Sequence, residues 1–131
     1  MTGEDVATND PLRQILRREG GVWTVAFAGR ACQLRDTRGF RYLAYLLARP
    51  HQPVQSSEIE AAARGAAVDE QGIDPAARER ARVNVTRGLT AALRRLEPHH
   101  PELVHHLRAT LRAGAACVYT PDPRLPISWE T

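Results

Sequence analysis

The chain has 131 residues, 43% of them hydrophobic and 25% charged, the composition of an ordinary globular protein with room for one core. Its formal net charge is only +3. No apolar run approaches the ~20 residues of a membrane span. Two cysteines are too few for a disulfide framework, so we expect reduced thiols and a cytoplasmic protein. No glycine-rich phosphate loop, nucleophile elbow or carboxylate pair is present, so we expect neither an enzyme nor a cofactor.

The N-terminal end predicts a tail followed by a short helix. Residues 1–9 are polar and acidic and are expected to be disordered, which leaves one domain over residues 10–131. Asp10 before Pro11 has the form of a helix cap followed by proline. We therefore predict a short helix from Pro11 to Arg18.

A hairpin and a core helix are predicted next. Two strands, at residues 22–28 and 31–35, flank Gly29-Arg30, which is a two-residue hairpin signal. Asp36 or Thr37 then caps a helix that ends before the next proline. Four of its residues have helical spacing and are expected in the core: Phe40, Leu43, Ala44 and Leu47.

The second half of the chain is predicted to be mostly helical. Ser57 and Glu60 have capping-box spacing and predict a short helix that Gly65 closes, after a short strand at Val54. An irregular acidic stretch ends at Asp74-Pro75, where a cap and a proline open a long helix. The remaining predictions are a helix at 101–112, a strand at 115–120, an extended segment at 121–126 and an edge strand at 127–129.

The long helix carries the strongest feature of the sequence. Between residues 78 and 96 it holds six arginines and one acid, while the rest of the chain is net acidic. Arg80, Arg87 and Arg94 recur every seven residues, with Asn84 beside them. The opposite side is apolar: Val85, Leu89, Ala92, Leu93 and Leu96. Such a helix is held by a core while it offers cations to a polyanion.

All 18 basic residues are arginine. Arginine favours fork-shaped contacts to phosphate or carboxylate, but codon bias in a GC-rich genome is the simpler explanation of this composition. The order of the elements is that of a winged helix-turn-helix. We therefore predict an α+β winged helix-turn-helix domain with a small N-terminal β-hairpin, a core of three to four helices and a C-terminal strand.

Three stretches carry a resemblance to a known family. The run LRDTRGFRYLAYLLARPHQPVQSSEIE resembles the first helix and turn of response-regulator-type winged helices, and RVNVTRGLTAALRRLEP resembles their recognition helix. Together with RREGGVWTVAFAGR and CVYTPDPRLPISW, the span from about residue 18 to 129 resembles a domain of actinobacterial transcriptional regulators. That domain is often fused to ATPase or tetratricopeptide modules. The resemblance implies a DNA-binding transcriptional module similar to those of the antibiotic regulatory proteins.

The chain departs from the simpler pattern of that family at three places. The loop before the long helix is long and acidic, and a further helix stands before the wing. The wing itself would be a tight turn at Arg112-Ala113-Gly114 without a basic hairpin.

The expected DNA contacts follow from the chemistry of the side chains. Arginine bonds both acceptors of guanine and asparagine pairs with adenine in the major groove. Three residues on the exposed face of the long helix are therefore predicted to contact base edges: Arg80, Asn84 and Arg87. Six others are predicted to contact phosphates: Arg38, Arg41, Arg82, Thr86, Arg94 and Arg112. About five phosphate contacts give a log–log salt slope of about −4 to −5.

A lone module of this kind buries roughly 600–1,000 Å² on DNA, so a homodimer or a partner protein is expected to supply further contacts. The alternative is an adaptor module on the same fold that binds no DNA, with the arginines facing an acidic protein; the acidic loop and the modest net charge favour it.

Two other groups of residues have simpler interpretations. His99, His100, His105 and His106 lack metal-ligand spacing and are expected to form a surface cluster. Cys32 and Cys117 each lie in a predicted strand and are expected to be buried thiols, close together if the last strands join the first sheet.

Overall fold

A computed structural model of the protein describes residues 13–66, 74–124 and 127–131. This part of the chain is α+β, as predicted. The strands are β1 (Gln14–Glu19), β2 (Val22–Phe27), β3 (Arg30–Arg35), β4 (Val54–Gln55), β5 (Leu111–Arg112), β6 (Ala116–Tyr119) and β7 (Trp129–Glu130). The helices are α1 (Arg38–Leu47), α2 (Ser56–Ala63), α3 (Pro75–Leu96) and α4 (Pro101–Thr110). None of the described helices is long and apolar enough to cross a membrane.

The first sheet has the order β3-β2-β1-β7. The hairpin of β2 and β3 is confirmed, but the predicted helix over 11–18 is wrong wherever the structure describes it, because residues 14–19 form β1. This strand pairs antiparallel with β2 and parallel with β7. Side chains of neighbouring residues in a strand point to opposite faces, yet Ile15 and Leu16 are both buried. This segment therefore lacks the alternation of apolar and polar residues that would have predicted a strand.

The second sheet has the order β4-β6-β5 and brings together distant parts of the chain. Strand β4, between α1 and α2, pairs antiparallel with β6, and β5 pairs antiparallel with β6. The predicted helix over 101–112 ends at Thr110 because the next two residues join this sheet. The hairpin of β5 and β6 turns at residues 113–115, next to the start of α2.

The helix ends are mostly where local chemistry places them. The hydroxyl of Thr37 accepts from the Phe40 amide, and the Asp74 carboxylate accepts from the Ala77 amide at 2.7 Å. Gly65, with φ +72°, follows α2. The capping role predicted for Ser57 is wrong, since α2 begins one residue earlier and its N-cap makes no side-chain hydrogen bond. The acidic stretch after α2 lies mostly outside the described residues.

Helices α1 and α3 cross at two glycines. A Cβ atom on Gly39 would lie 2.1 Å from the backbone oxygen of Gly88, and one on Gly88 would lie 2.6 Å from the ring of Tyr42. The two helices therefore approach more closely than any side chain permits. Glycine inside a helix costs about 1 kcal/mol relative to alanine, and here it allows the close crossing that fixes α3 against the core.

The core contains the apolar faces of α1 and α3. The predicted positions Phe40, Leu43 and Leu47 are buried and Ala44 is half-buried. In α3 the buried residues are Ala81, Val85, Leu89, Ala92 and Leu96, and Leu93 is half-buried at its margin. This arrangement leaves the opposite side of α3 to solvent.

An aromatic cluster joins the first sheet to α4 and β6. The ring of Phe27 stacks on Trp129 at 6.0 Å and on His106 at 5.9 Å. The Tyr119 hydroxyl accepts from the indole of Trp129 and lies 2.8 Å from Nε2 of His106. The cluster links the C-terminal strand to elements that precede it by a hundred residues in the chain, and it packs the sheet against the helices.

Candidate nucleic-acid interface

The exposed side of α3 forms a row of arginines. Arg80, Arg87 and Arg94 are exposed, and none of their side chains makes a hydrogen bond or ion pair with any residue that the structure describes. At ~1.5 Å per residue the outer two lie ~21 Å apart along the helix axis. We call these three residues the arginine face. They are cations without internal partners, held on a helix whose other side is fixed in the core.

Asn84 lies between Arg80 and Arg87 and is also exposed. Its side-chain nitrogen donates to Oε2 of Glu60 in α2 at 2.9 Å. Oε1 of the same carboxylate accepts from Arg64 at 3.3 Å. The predicted base-contacting amide is therefore already bound on one side. The sequence assigned Glu60 to a capping box and did not indicate this contact, because Glu60 is 24 residues away and in another helix.

Arg38 is brought to the middle of α3 by the crossing of the helices. It is exposed at the start of α1, one residue before the glycine that contacts Gly88. Its guanidinium interacts with the hydroxyl of Tyr42, whose pKa is raised by burial and then by the nearby Glu60. Arg38 thus lies close to the arginine face, as its predicted phosphate contact requires.

The prediction for Arg41 needs correction, because its guanidinium is committed inside the protein. It donates to both oxygens of Asp36 and to the backbone oxygen of Ala63. Asp36 also accepts from the indole of Trp23 at 2.8 Å. The pKa of Asp36 is lowered to about 2, mainly by the hydrogen bond from Arg41 and further by the one from Trp23, while burial opposes this shift. Arg41 is a structural residue that ties α1 to the first sheet and α2.

Two predicted phosphate contacts on α3 are also altered. Arg82 is bound to Glu79 one turn earlier, with Nε 2.9 Å from Oε2, which neutralises much of its charge. The hydroxyl oxygen of Thr86 is buried and has no partner among the described residues. A buried hydroxyl does not reach a phosphate, so we remove Thr86 from the set. Its near neighbour on the helix, Thr90, bonds the backbone of the preceding turn.

Arg94 and Arg112 are the remaining predicted phosphate contacts. Arg94 is the C-terminal member of the arginine face, and Arg112 is exposed in β5 at the base of the hairpin. Neither side chain makes a hydrogen bond or ion pair within the described ranges. The hairpin turn and the starts of α2 and α3 border a groove of about 300 Å³. Arg78, which sequence reasoning did not assign, lines that groove together with Arg82 and Ser57.

The histidines and cysteines take no part in this surface. His100 is buried and His106 half-buried, which corrects the predicted surface cluster. Burial lowers the pKa of both rings. Among the described residues no group of three or more histidine, cysteine or acidic side chains is arranged to hold a metal. Cys117 is buried in β6 and Cys32 half-buried in β3, and both are free thiols in separate sheets.

No protein-family model, curated protein or solved structure matches the chain.

Proposed function

We propose that this chain is a winged helix-turn-helix domain that binds double-stranded DNA through α3 and regulates transcription. The observation that carries the proposal is the arginine face, three exposed cations without described partners on a helix anchored in the core. The order of elements supports the fold: α1, β4, α2, α3 and α4 are followed by the hairpin of β5 and β6, which completes the sheet β4-β6-β5. The hairpin would be the wing.

The proposed contacts divide between bases and backbone. Arg80 and Arg87 have the donor pairs that bind O6 and N7 of guanine, and Asn84 has the donor and acceptor that fit adenine. Arg38, Arg94 and Arg112 would contact phosphates on either side. These three are exposed and lie at the start of α1, the end of α3 and the base of the hairpin.

The revised set of contacts lowers the expected salt dependence. With Arg41 and Thr86 removed and Arg82 bound to Glu79, three phosphate contacts remain. Three contacts give a log–log slope of about −2.7, so a rise from about 50 to 200 mM salt should weaken binding about 40-fold. The buried area of one module favours a homodimer or a partner that adds contacts.

The test is a fluorescence-anisotropy titration of the protein against random duplex DNA at the two salt concentrations. The variant Arg80→Ala with Arg87→Ala should lose binding while its melting temperature stays near that of the wild type, because both side chains are exposed and neither makes a hydrogen bond or ion pair with a described residue. The matched control removes two exposed arginines from β3, Arg30 and Arg35, and should bind nearly as the wild type. Absence of wild-type binding at the lower salt concentration would refute the proposal.

A second candidate is an adaptor domain that binds an acidic protein and not DNA. The observation that favours it is the presence of carboxylates on the same side, since Glu60 holds Asn84 and Glu79 holds Arg82. These acids reduce the attraction to a polyanion as dense as DNA. The same titration separates the two candidates, because the adaptor predicts no binding to duplex DNA at either salt concentration.

A further inference from the structure

The carboxylate of Glu60 is a built-in support for the side chain of Asn84. It projects from α2 toward α3, and only 17% of its side chain is exposed. Each of its oxygens has a partner, Arg64 for Oε1 and Asn84 for Oε2. The hydroxyl of Tyr42 lies near enough to feel its charge. One carboxylate oxygen of Glu60 is therefore held by Arg64, four residues along the chain, and the other accepts from Asn84.

This contact determines which way the amide of Asn84 faces. A carboxylate accepts hydrogen bonds and does not donate them. If the amide were turned over, its oxygen would lie against Oε2 of Glu60 and the two oxygens would repel. The nitrogen consequently stays toward Glu60, with one of its two N–H groups used. The outward edge of Asn84 keeps the carbonyl oxygen and the second N–H group.

An acceptor beside a single donor is the pattern that complements adenine. Adenine presents the N6 donor and the N7 acceptor in the major groove, whereas guanine presents two acceptors, O6 and N7. An unrestrained asparagine can turn its amide to offer only donors, and it then tolerates guanine. Held by Glu60, the amide cannot make that turn without losing the hydrogen bond to the carboxylate.

We propose that Glu60 is a positioning residue that makes Asn84 selective for adenine. The proposal rests on the proposed function, since it assigns a specificity determinant to the same surface. Glu60 itself contacts no base in this scheme. Its removal should leave the general affinity for DNA intact or slightly higher, because one negative charge is lost. It should also reduce the base preference at one position of the recognised sequence.

The first test needs no DNA and examines the contact itself. In the free protein, the NMR signals of the Asn84 side-chain amide are compared between the wild type and Glu60→Met, which keeps the length of the side chain and removes the acceptor. We expect a changed shift and faster exchange of the amide protons with solvent. Unchanged signals would overturn the inference while leaving the proposed function in place.

The second test is selection of binding sites from a randomised duplex pool, with sequencing of the bound fraction. In the wild type one column should prefer adenine by about tenfold or more. Asn84→Ala and Glu60→Met should each reduce the preference in that same column to below about threefold. Glu60→Gln offers a donor as well as an acceptor, and Arg64 competes for its oxygen, so the amide of Asn84 can turn and this variant should also weaken the preference.

The matched control is Glu58→Met, which removes the same charge from the same helix. Glu58 accepts from the Tyr45 hydroxyl, and no contact joins it to Asn84. This variant should keep the adenine column, and its melting curve and that of Glu60→Met should both show a folded protein. If Asn84→Ala flattens the column and Glu60→Met does not, the inference is overturned. If the wild type binds no duplex at low salt, it is the proposed function that fails.

Discussion

The close crossing of α1 and α3 makes Gly39→Ala the sharpest test of the structure. The new methyl group would lie 2.1 Å from the backbone oxygen of Gly88 and 3.1 Å from the side chain of Ala92. An ordinary carbon–oxygen contact is about 3.3 Å or more, so the helices must separate by about 1 Å. The atom that obstructs is backbone, and no side-chain rotation relieves the contact.

The expected loss of stability follows from two opposing effects. Overpacking of a tight interface costs about 3 kcal/mol, since a gap of ~1 Å also forfeits up to half of the local dispersion energy. The better helix propensity of alanine returns at most about 1 kcal/mol. The net loss is therefore about 2 kcal/mol, which for a chain of this length lowers the melting temperature by about 7 °C. Gly88→Ala meets the ring of Tyr42 and should cost less, because a side chain can shift.

Thermal unfolding followed by circular dichroism measures this loss. The matched control is Gly21→Ala, where an added methyl group would have no heavy atom within 4 Å. That variant should melt within about 2 °C of the wild type, since a surface substitution changes stability by about 0.5 kcal/mol or less. A melting temperature of Gly39→Ala as high as that of the control would refute the close helix crossing.

Three further predictions concern half-buried ionisable groups. Arg41→Ala should lower the free energy of unfolding by about 2 kcal/mol, because it removes hydrogen bonds to Asp36 and Ala63, and should leave the salt slope of DNA binding unchanged; a changed slope would return Arg41 to the interface. Asp36 has its pKa lowered from 3.8 to about 2, so it stabilises the fold above pH 3.8 by about 1–2 kcal/mol after solvent screening and loses this contribution as the pH falls toward 2; Asp36→Asn should flatten that part of a stability–pH curve, and a curve as steep as the wild type would contradict the assignment. Burial lowers the pKa of His106 below its ordinary 6.5, so stability should decline as the pH falls below about 6.5. In His106→Gln, melting curves at pH 7.5 and 5.5 should differ less than those of the wild type, and an equal difference in the two proteins would contradict this role of the ring.

Local chemistry determined the elements whose signals are contained within a few residues. The caps at Thr37 and Asp74 and the hairpin at Gly29 need no information from distant parts of the chain, and each is found where it was predicted. The two sides of α3 are likewise visible in the spacing of its residues. The position of the arginine face on a helix held by the core was therefore predictable from the sequence.

Pairing between distant segments decided the rest of the fold. Residues 14–19 become a strand because β2 and β7 lie on either side of them, although a proline start suggested a helix. Ser56 donates to the backbone oxygen of Gly114 in the hairpin turn at 2.7 Å. A local pattern contains no information about such partners, and the capping-box spacing at Ser57 consequently predicted the wrong helix cap.

The availability of the polar groups on the candidate surface was decided by tertiary structure in a similar way. The sequence by itself determined that this protein has an amphipathic helix with cations on one side, because periodicity and charge are properties of the chain. Which of those polar groups are available depends on what packs beside them. Folding brings Asp36 to Arg41 and Glu60 to Asn84, and it buries the hydroxyl of Thr86. A side chain that meets a partner across the fold becomes structural or oriented, whereas the side chains of Arg80, Arg87 and Arg94 have no such partner among the described residues.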